Sequence, residues 1–224
     1  HPEFDWLPRK FKIAVTGDAN DRAAIAVHDI GIRAYKNADD AVVFDIFVGG
    51  GLGRTPVLGT AIYSGLPVKH LLTYLESIMR VYNRYGRRDN KYKARIKILV
   101  RAMGAEAFKA RVEQDWVDIK GGPSTLSDAQ VADMVAAFAP PARVTSAAAS
   151  IDLDALRLEH PTFSHWLHHN VGPHQQANLT VVTLSTKMTG VPPGDVSDEQ
   201  MDAVAQWAED HSGGEIRISH EQNF

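Results

Sequence analysis

Residues 41–53 read AVVFDIFVGGGLG, an apolar run rich in branched and aromatic side chains that ends abruptly in glycine. The first eight residues predict a β-strand, and the glycines that follow predict a sharp break in the chain. Similar runs at residues 11–15 and 23–29 predict two further strands. Turn-forming residues at 37–40 separate two of the three strands, so the pattern favours an antiparallel meander.

Helices are predicted to follow this sheet. Residues 64–67 (SGLP) predict a turn, and a second helix is predicted over residues 90–103, with a short third helix around Phe108 and Val112. The first helix begins after the turn and carries one apolar stripe at helical spacing. Its members are Leu71, Leu72, Leu75, Ile78, Met79 and Tyr82.

Two domains of an α+β fold are predicted. Prolines and small residues mark 141–150 as a linker between residues 1–140, a mixed sheet with packed helices, and residues 151–224. The second part is expected to hold a strand at 179–184, a helix at 198–211 and a strand at 215–219. This β-α-β unit is half of a ferredoxin-like sandwich and leaves sheet edges open.

The ends of the chain predict a fragment, and two serines predict where helices begin. The chain begins at His1 instead of Met, and it stops soon after the β-α-β unit, so an internal fragment truncated at its C-terminus is expected. Ser127 and Ser197 each stand three residues before a glutamine, the capping-box pattern that predicts a helix start.

The composition of the 224 residues excludes several protein classes. No run of roughly 18 uncharged apolar residues and no basic-then-apolar leader is present, which predicts a cytoplasmic protein with no membrane partner. Cysteine is absent, so this chain forms no disulfide and supplies no thiolate for catalysis or for an iron–sulfur cluster. Residues 1–112 carry a net charge of +8 and residues 113–224 a net charge of −11, so the first half is expected to handle an anion.

Basic residues are dense between positions 80 and 101, where Asp89 is the only acidic residue. Like charges four residues apart, such as Lys91 and Arg95, repel by a few tenths of a kcal/mol. Either the run is a solvated face or an anion lies nearby, and that anion is a nucleic acid or a smaller buried group. The slightly acidic chain and the lack of a nucleic-acid motif weigh against nucleic acid as a partner, although that alternative stays open.

The glycine cluster and a group of histidines each allow two interpretations. Residues 49–53 match neither phosphate-loop motif, so they form a tight turn or let the backbone approach something flat or bulky, since glycine has no Cβ. The histidines lack a metalloprotease pattern and are expected at the surface. They are His165, His168, His169 and His174.

Several motifs occur in the order and approximate spacing of one enzyme family. They are LPRKFK at 7–12, VGGGL at 48–52, NKYKARIK at 90–97 and the closing ISHEQN at 218–223. The chain resembles the sirohaem-dependent nitrite and sulfite reductases, most closely the hemoprotein (beta) subunit of assimilatory sulfite reductases.

The resemblance implies an oxidoreductase of sulfur assimilation that reduces sulfite to sulfide on sirohaem coupled to a 4Fe-4S cluster. Nitrite reduction to ammonia is the alternative, and the electron donor would be ferredoxin or a flavoprotein. The family's second reductase domain supplies the cluster cysteines, so residues 1–140 would be the first, cysteine-free copy. The chain by itself is therefore expected to be inactive.

Individual residues take their expected roles from the same resemblance. Arg9, Arg95 and Lys97 match positions that bind the substrate anion. The family often has lysine where Arg95 stands, and arginine hardly donates protons, so Lys97 is the expected proton source. No residue is expected to bind a metal. The expected cofactor contacts are His28, Asp29, Gly50, Gly51, Arg54, Lys91, Lys93, Gln222 and Asn223.

Overall fold

The structure, a computed structural model, describes residues 2–139, 152–174 and 179–224. Its contacts divide the chain into two compact units, His1–Phe138 and Ala139–Phe224, and each is described by itself. The predicted linker at 141–150 lies outside the described residues, and the predicted domain boundaries stay predictions. The α+β class is confirmed by a mixed sheet with packed helices in the first unit.

A four-stranded sheet forms the base of the first unit, with the strands in chain order across it. The strands are β1 (Ile13–Thr16), β2 (Ile30–Lys36), β3 (Val42–Val48) and β4 (Thr60–Pro67). The predicted antiparallel meander is confirmed from β2 to β4. It is wrong for β1, which pairs with β2 in parallel.

Two segments differ from their predicted structure. Residues 23–29 do not form a strand: Ile25–Val27 is a short 3-10 helix that follows Ala24 in the left-handed region (φ 50°), and β2 begins only at Ile30. Residues 64–67 continue β4 instead of turning. Gly65 has a φ of +71° beside a shift in the β3–β4 register, which lets the strand continue to Pro67 through a local irregularity.

Four α-helices follow this sheet along the first unit. They are α1 (Leu71–Tyr85), α2 (Ile96–Met103), α3 (Ala105–Ile119) and α4 (Asp128–Ala137). The predicted stripe of α1 is confirmed in the main, with Ile78 and Tyr82 fully buried, although Leu72 is exposed. The second helix starts later than predicted, because residues 91–93 form a separate 3-10 turn, and α3 is longer than expected. The predicted capping box at Ser127 is confirmed.

The core of the first unit lies between the sheet and helices α1 to α3. Its largest fully buried side chains come from all of these elements and include Ile46, Leu66, Tyr74, Ile96 and Phe108. Burying an apolar side chain of this size contributes about 1.5–3 kcal/mol. The start of α2 is therefore held firmly against the end of β3.

The described residues of the second unit form three helices and a short antiparallel pair of strands. They are α5 (Leu153–Glu159), α6 (Pro161–Asn170), β5 (Val171–Pro173), β6 (Thr180–Val182) and α7 (Asp198–His211). The capping box at Ser197 is confirmed. The predicted strand at 215–219 is wrong, because these residues form no regular strand. The chain turns back through Gln222 (φ +61°) so that Leu184 and Phe224 exchange two backbone hydrogen bonds.

Across the described part of the chain, no helix combines the length and apolar character needed to cross a bilayer.

Candidate functional site

Asp29 joins three of the sequence motifs. It stands directly before β2 and is 1% exposed. Its Oδ1 accepts a hydrogen bond from Arg95 Nε at 3.1 Å, and its Oδ2 accepts one from Arg95 Nη2 and one from the Lys12 backbone N–H at 3.0 Å. Its own carbonyl oxygen accepts the Gly49 N–H at 2.9 Å. One buried residue therefore ties the 7–12 segment, the glycine loop and the start of α2 together.

Arg95 is the N-cap residue of α2, and its extended backbone (φ −76°, ψ 154°) directs the side chain back to Asp29. A guanidinium group carries five N–H donors in a planar fork. Asp29 takes one edge of that fork, and the side chain stays 24% exposed. Nη1 finds no acceptor among the described residues, so the outer edge of Arg95 can accept an anion.

Lys97 lies in the first turn of α2 and contacts the glycine loop between β3 and β4. Its Nζ donates to the carbonyl oxygens of Leu52 at 2.9 Å and Thr55 at 2.8 Å. Gly51 and Val57 close this loop through two backbone hydrogen bonds of 2.9 Å. Because an ammonium group has three donors, one N–H of Lys97 remains for a ligand.

The glycines of the loop approach other parts of the same chain. A Cβ on Gly50 would collide with the carbonyl oxygen of Ala26, and a Cβ on Gly51 would lie 2.8 Å from Lys97 Cδ. Gly49 adopts a φ of +83°, which favours glycine. Contacts within the protein are therefore enough to explain why glycine occupies these three positions. Cofactor contacts at Gly50 and Gly51 stay a prediction.

Arg9 lies beside the 3-10 turn that precedes α2. Its Nη1 donates to the carbonyl oxygen of Lys91 at 2.6 Å, and its guanidinium lies 5.8 Å from the ring centroid of Tyr92. The Arg9 carbonyl oxygen lies 2.9 Å from the Tyr82 hydroxyl, which is also 2.8 Å from the carbonyl oxygen of Ala94. Arg9 is thereby placed beside the turn that leads into Arg95.

Tyr82 is a positioning residue that the sequence pattern showed only as part of the apolar stripe of α1. It is fully buried, and burial raises the pKa of its hydroxyl, so the group stays a proton donor. A buried tyrosine hydroxyl needs a hydrogen-bond partner, and this is the signal that could have identified it. The sequence could not show which carbonyl oxygens this hydroxyl contacts, since Arg9 lies 73 residues away along the chain.

Part of the basic run is neutralised within the protein, since four of its nine cations, Arg80, Arg84, Arg87 and Arg95, pair with a carboxylate. Arg80 pairs with Glu3 at 3.1 Å and with Glu76 at 3.0 Å, and Arg84 lies 3.8 Å from Asp115. Asp115 keeps a raised pKa because burial outweighs the two neighbouring arginines. Glu3, Glu76 and Asp115 lie outside the run, so part of its charge is balanced from elsewhere in the first unit. The exposed cations of the candidate segments whose side chains have no acidic partner among the described residues are Lys10, Lys12, Arg54, Arg88, Lys91, Lys93 and Arg101.

The remaining predicted cofactor residues are held by local contacts. His28 Nδ1 lies 2.9 Å from the carbonyl oxygen of Ala24. In the second unit, Asn223 is buried and its Oδ1 accepts from Lys187 Nζ at 2.5 Å, and the carbonyl oxygen of Gln222 accepts from the Thr186 hydroxyl. Gln222 and Asn223 therefore fix the closing turn of the second unit.

Three of the four clustered histidines lie on a helix, and His174 lies beyond it. His165 and His169 lie on α6 with ring centroids 4.4 Å apart, and His168 lies 4.9 Å from His169. Within the described ranges, no group of three or more His, Cys, Asp or Glu side chains is arranged to hold a metal ion.

Comparisons with known proteins match both units to one family. Residues 1–120 match the family model "Nitrite and sulphite reductase 4Fe-4S domain", and residues 184–224 match "Nitrite/Sulfite reductase ferredoxin-like half domain". Sulfite reductase (ferredoxin) 1 of Mycolicibacterium paratuberculosis is 30% identical over 118 residues, covering 53% of this chain and 21% of the relative. The sulfite reductase (NADPH) hemoprotein beta-component 1 of Pectobacterium carotovorum is 33% identical over 116 residues, covering 49% of this chain and 20% of the relative.

A solved structure, that of the NirA protein of Mycobacterium tuberculosis, shares the fold. The two superpose with a TM-score of 0.61 at 22% identity, covering 99% of this chain and 33% of that one. The chain thus spans about a fifth of the length of the two curated relatives named above. The first family model covers more than half of the chain, and on that match the chain belongs to the nitrite and sulfite reductase family.

Proposed function

We propose that this chain supplies the substrate-binding cations of a sirohaem-dependent sulfite reductase. The observation that carries the proposal is the paired placement of Arg95 and Lys97 at the start of α2. Asp29 holds the first, carbonyl oxygens of the glycine loop hold the second, and each keeps N–H donors that have no acceptor among the described residues. Fixed cations of this kind stabilise an oxyanion without having to reorganise.

The two cations suit different parts of the reaction. Arg95 stays charged at any physiological pH and offers a planar edge that matches two oxygens of sulfite. Lys97 can give up a proton, and each oxygen that leaves sulfite as water needs protons. We therefore assign binding and charge stabilisation to Arg95 and proton delivery to Lys97. Arg9, beside the turn into Arg95, is the third binding cation.

Part of the predicted cofactor set fits sirohaem by its chemistry. The exposed cations Arg54, Lys91 and Lys93 fit its peripheral carboxylates, since none has an acidic partner among the described residues. Sirohaem, when bound, would supply the iron on which sulfite is reduced. The chain has no cysteine, so thiolate ligands for a 4Fe-4S cluster would come from another part of a longer protein. We expect this chain alone not to reduce sulfite.

Nitrite and nucleic acid are the two alternatives to sulfite as the anion that this chain binds. Nitrite is the second candidate substrate, because the matched family model covers nitrite and sulfite reductases together. The names of the relatives mention ferredoxin and NADPH, and we propose a donor of one of these two kinds. Nucleic acid is disfavoured as a partner, since Arg80, Arg84 and Arg87 of the basic run are paired with carboxylates of this chain.

The proposal is tested on the complete protein from which the chain comes. We expect it to carry a sirohaem absorption spectrum and to oxidise a reduced viologen dye when sulfite is added. Lys97→Ala should abolish this turnover and leave the spectrum in place. Arg101→Ala, an exposed cation on the same helix, is the matched control and should retain turnover. A complete protein without sirohaem, or undiminished turnover in Lys97→Ala, would overturn the proposal.

A further inference from the structure

We propose that Asp29 is a positioning residue that acts through Arg95 and presents the outer edge of its guanidinium to the substrate oxyanion. This inference rests on the proposed function and deepens it. It gives Asp29 a role different from the cofactor contact expected from the family resemblance.

The main chain fixes the Asp29 carboxylate independently of Arg95. The Lys12 N–H donates to Oδ2 at 3.0 Å, and the Gly49 N–H donates to the Asp29 carbonyl oxygen at 2.9 Å. The Gly49 contact holds the backbone of Asp29, and with 1% exposure the carboxylate has no room to take another rotamer without losing the Lys12 contact. The orientation of Asp29 therefore sets the orientation of Arg95.

Arginine suits this arrangement better than lysine would. Asp29 uses the Nε–H and one Nη2–H of Arg95. The other Nη2–H and an Nη1–H are parallel and form a second edge, which can bind two oxygens of one anion. A lysine ammonium has no second planar edge. Asp29, Arg95 and the anion would thus form one continuous network of charge-assisted hydrogen bonds.

Positioning and simple charge compensation predict opposite effects when Asp29 is neutralised. A buried negative charge beside Arg95 lowers the positive potential at the anion site, so its removal on Coulombic grounds alone would tighten anion binding. If Asp29 instead holds the guanidinium in place, its removal releases the side chain and binding weakens. The direction of the change in sulfite affinity therefore separates the two roles.

The protein contains a matched control for this experiment. Asp45 is 4% exposed, accepts from Arg33 Nε at 3.2 Å and from Nη2, and accepts a backbone N–H from Gly65 at 3.1 Å. This pair repeats the chemistry of Asp29 and Arg95 in the middle of the sheet. It contacts neither the 7–12 segment nor the start of α2. Asp45→Asn should cost stability and leave sulfite binding unchanged.

The test is a calorimetric titration of this chain with sulfite. We expect Asp29→Asn to weaken sulfite binding at least about tenfold and Asp45→Asn to change it by less than about twofold, with melting temperatures recorded for both. Equal or tighter binding in Asp29→Asn, equal weakening in Asp45→Asn, or no sulfite binding by the unmodified chain would overturn the inference.

A measurement on the unmodified chain keeps the inference testable if Asp29→Asn does not fold. In nitrogen-15 NMR spectra, the Arg95 Nε–H should exchange with solvent more slowly than those of the exposed Arg54 and Arg101, and sulfite should shift its resonance. Fast exchange or an unmoved resonance would overturn the inference. If the unmodified complete protein does not oxidise the reduced viologen when sulfite is added, that result would instead count against the proposed function alone.

Discussion

The hydroxyl of Tyr82, fully buried on α1, lies 2.9 Å from the carbonyl oxygen of Arg9. The same hydroxyl lies 2.8 Å from the carbonyl oxygen of Ala94, the residue before Arg95. One side chain of the core therefore sets the distance between the segments that carry two of the candidate anion-binding cations.

Removal of this hydroxyl should weaken the fold. Tyr82→Phe removes the single O–H that two carbonyl oxygens share and creates no cavity, so we expect a loss of about 1–3 kcal/mol in the free energy of unfolding. Urea denaturation followed by circular dichroism measures it. Tyr92→Phe, at a ring that is 73% exposed, should change stability by less than about 0.5 kcal/mol. A Tyr82→Phe variant as stable as the unmodified chain would show that the contact contributes little.

Because Gly50 lies so close to Ala26, its replacement by a larger residue should destabilise the fold. Gly50→Ala places a methyl group against a backbone carbonyl oxygen, and we expect a loss of about 1–3 kcal/mol from overpacking. Gly17→Ala is the control, because a Cβ at Gly17 meets nothing within 4 Å. Thermal unfolding of the two variants compares them directly. Equal melting temperatures would refute the packing role of Gly50.

Stability should fall in acid through the pair of Asp45 and Arg33. Burial opposes ionisation of Asp45, but hydrogen bonds from Arg33, the Gly65 N–H and Tyr35 outweigh it and lower the pKa of the carboxyl. A pKa that is lower in the folded than in the unfolded state gives stability that is present above the unfolded pKa of about 3.9 and lost as the pH falls through the folded value.

Urea unfolding of the chain and of Asp45→Asn between pH 3 and pH 7 measures this contribution. The difference in stability between the two should be constant above about pH 5 and should shrink as the pH falls below the unfolded pKa of about 3.9, because the unfolded chain takes up a proton first. A difference that stays constant over the whole range would rule out ionisation of Asp45 as its source.

Local signals in the sequence predicted several elements correctly. The stripe ending at Tyr82 and the capping boxes at Ser127 and Ser197 depend on neighbouring residues, and all are present in the structure. The failures come from tertiary context. The residues at 23–29 are apolar enough for a strand, but they fold as a 3-10 turn whose Ala26 carbonyl oxygen receives the Gly59 N–H.

Less of the candidate site than of the helices could be predicted from the sequence. The motifs identified Asp29 and Arg95 separately, but their pairing spans 66 residues and depends on how the start of α2 packs against the end of β3. The glycines suggested a close approach to an unnamed group, and only the structure shows Ala26 and Lys97 in that place. Long-range contacts between motifs leave no periodic signal in the chain.

The location of bound sulfite tests the central claim most directly. Crystals of the chain soaked in sulfite, with diffraction recorded at a wavelength where sulfur scatters anomalously, would show the sulfur atom of the anion. We predict a sulfur peak with oxygens within hydrogen-bond distance of the outer edge of Arg95 and of Lys97 Nζ. Sulfite bound elsewhere, with both side chains still contacting only Asp29 and the glycine loop, would contradict the account.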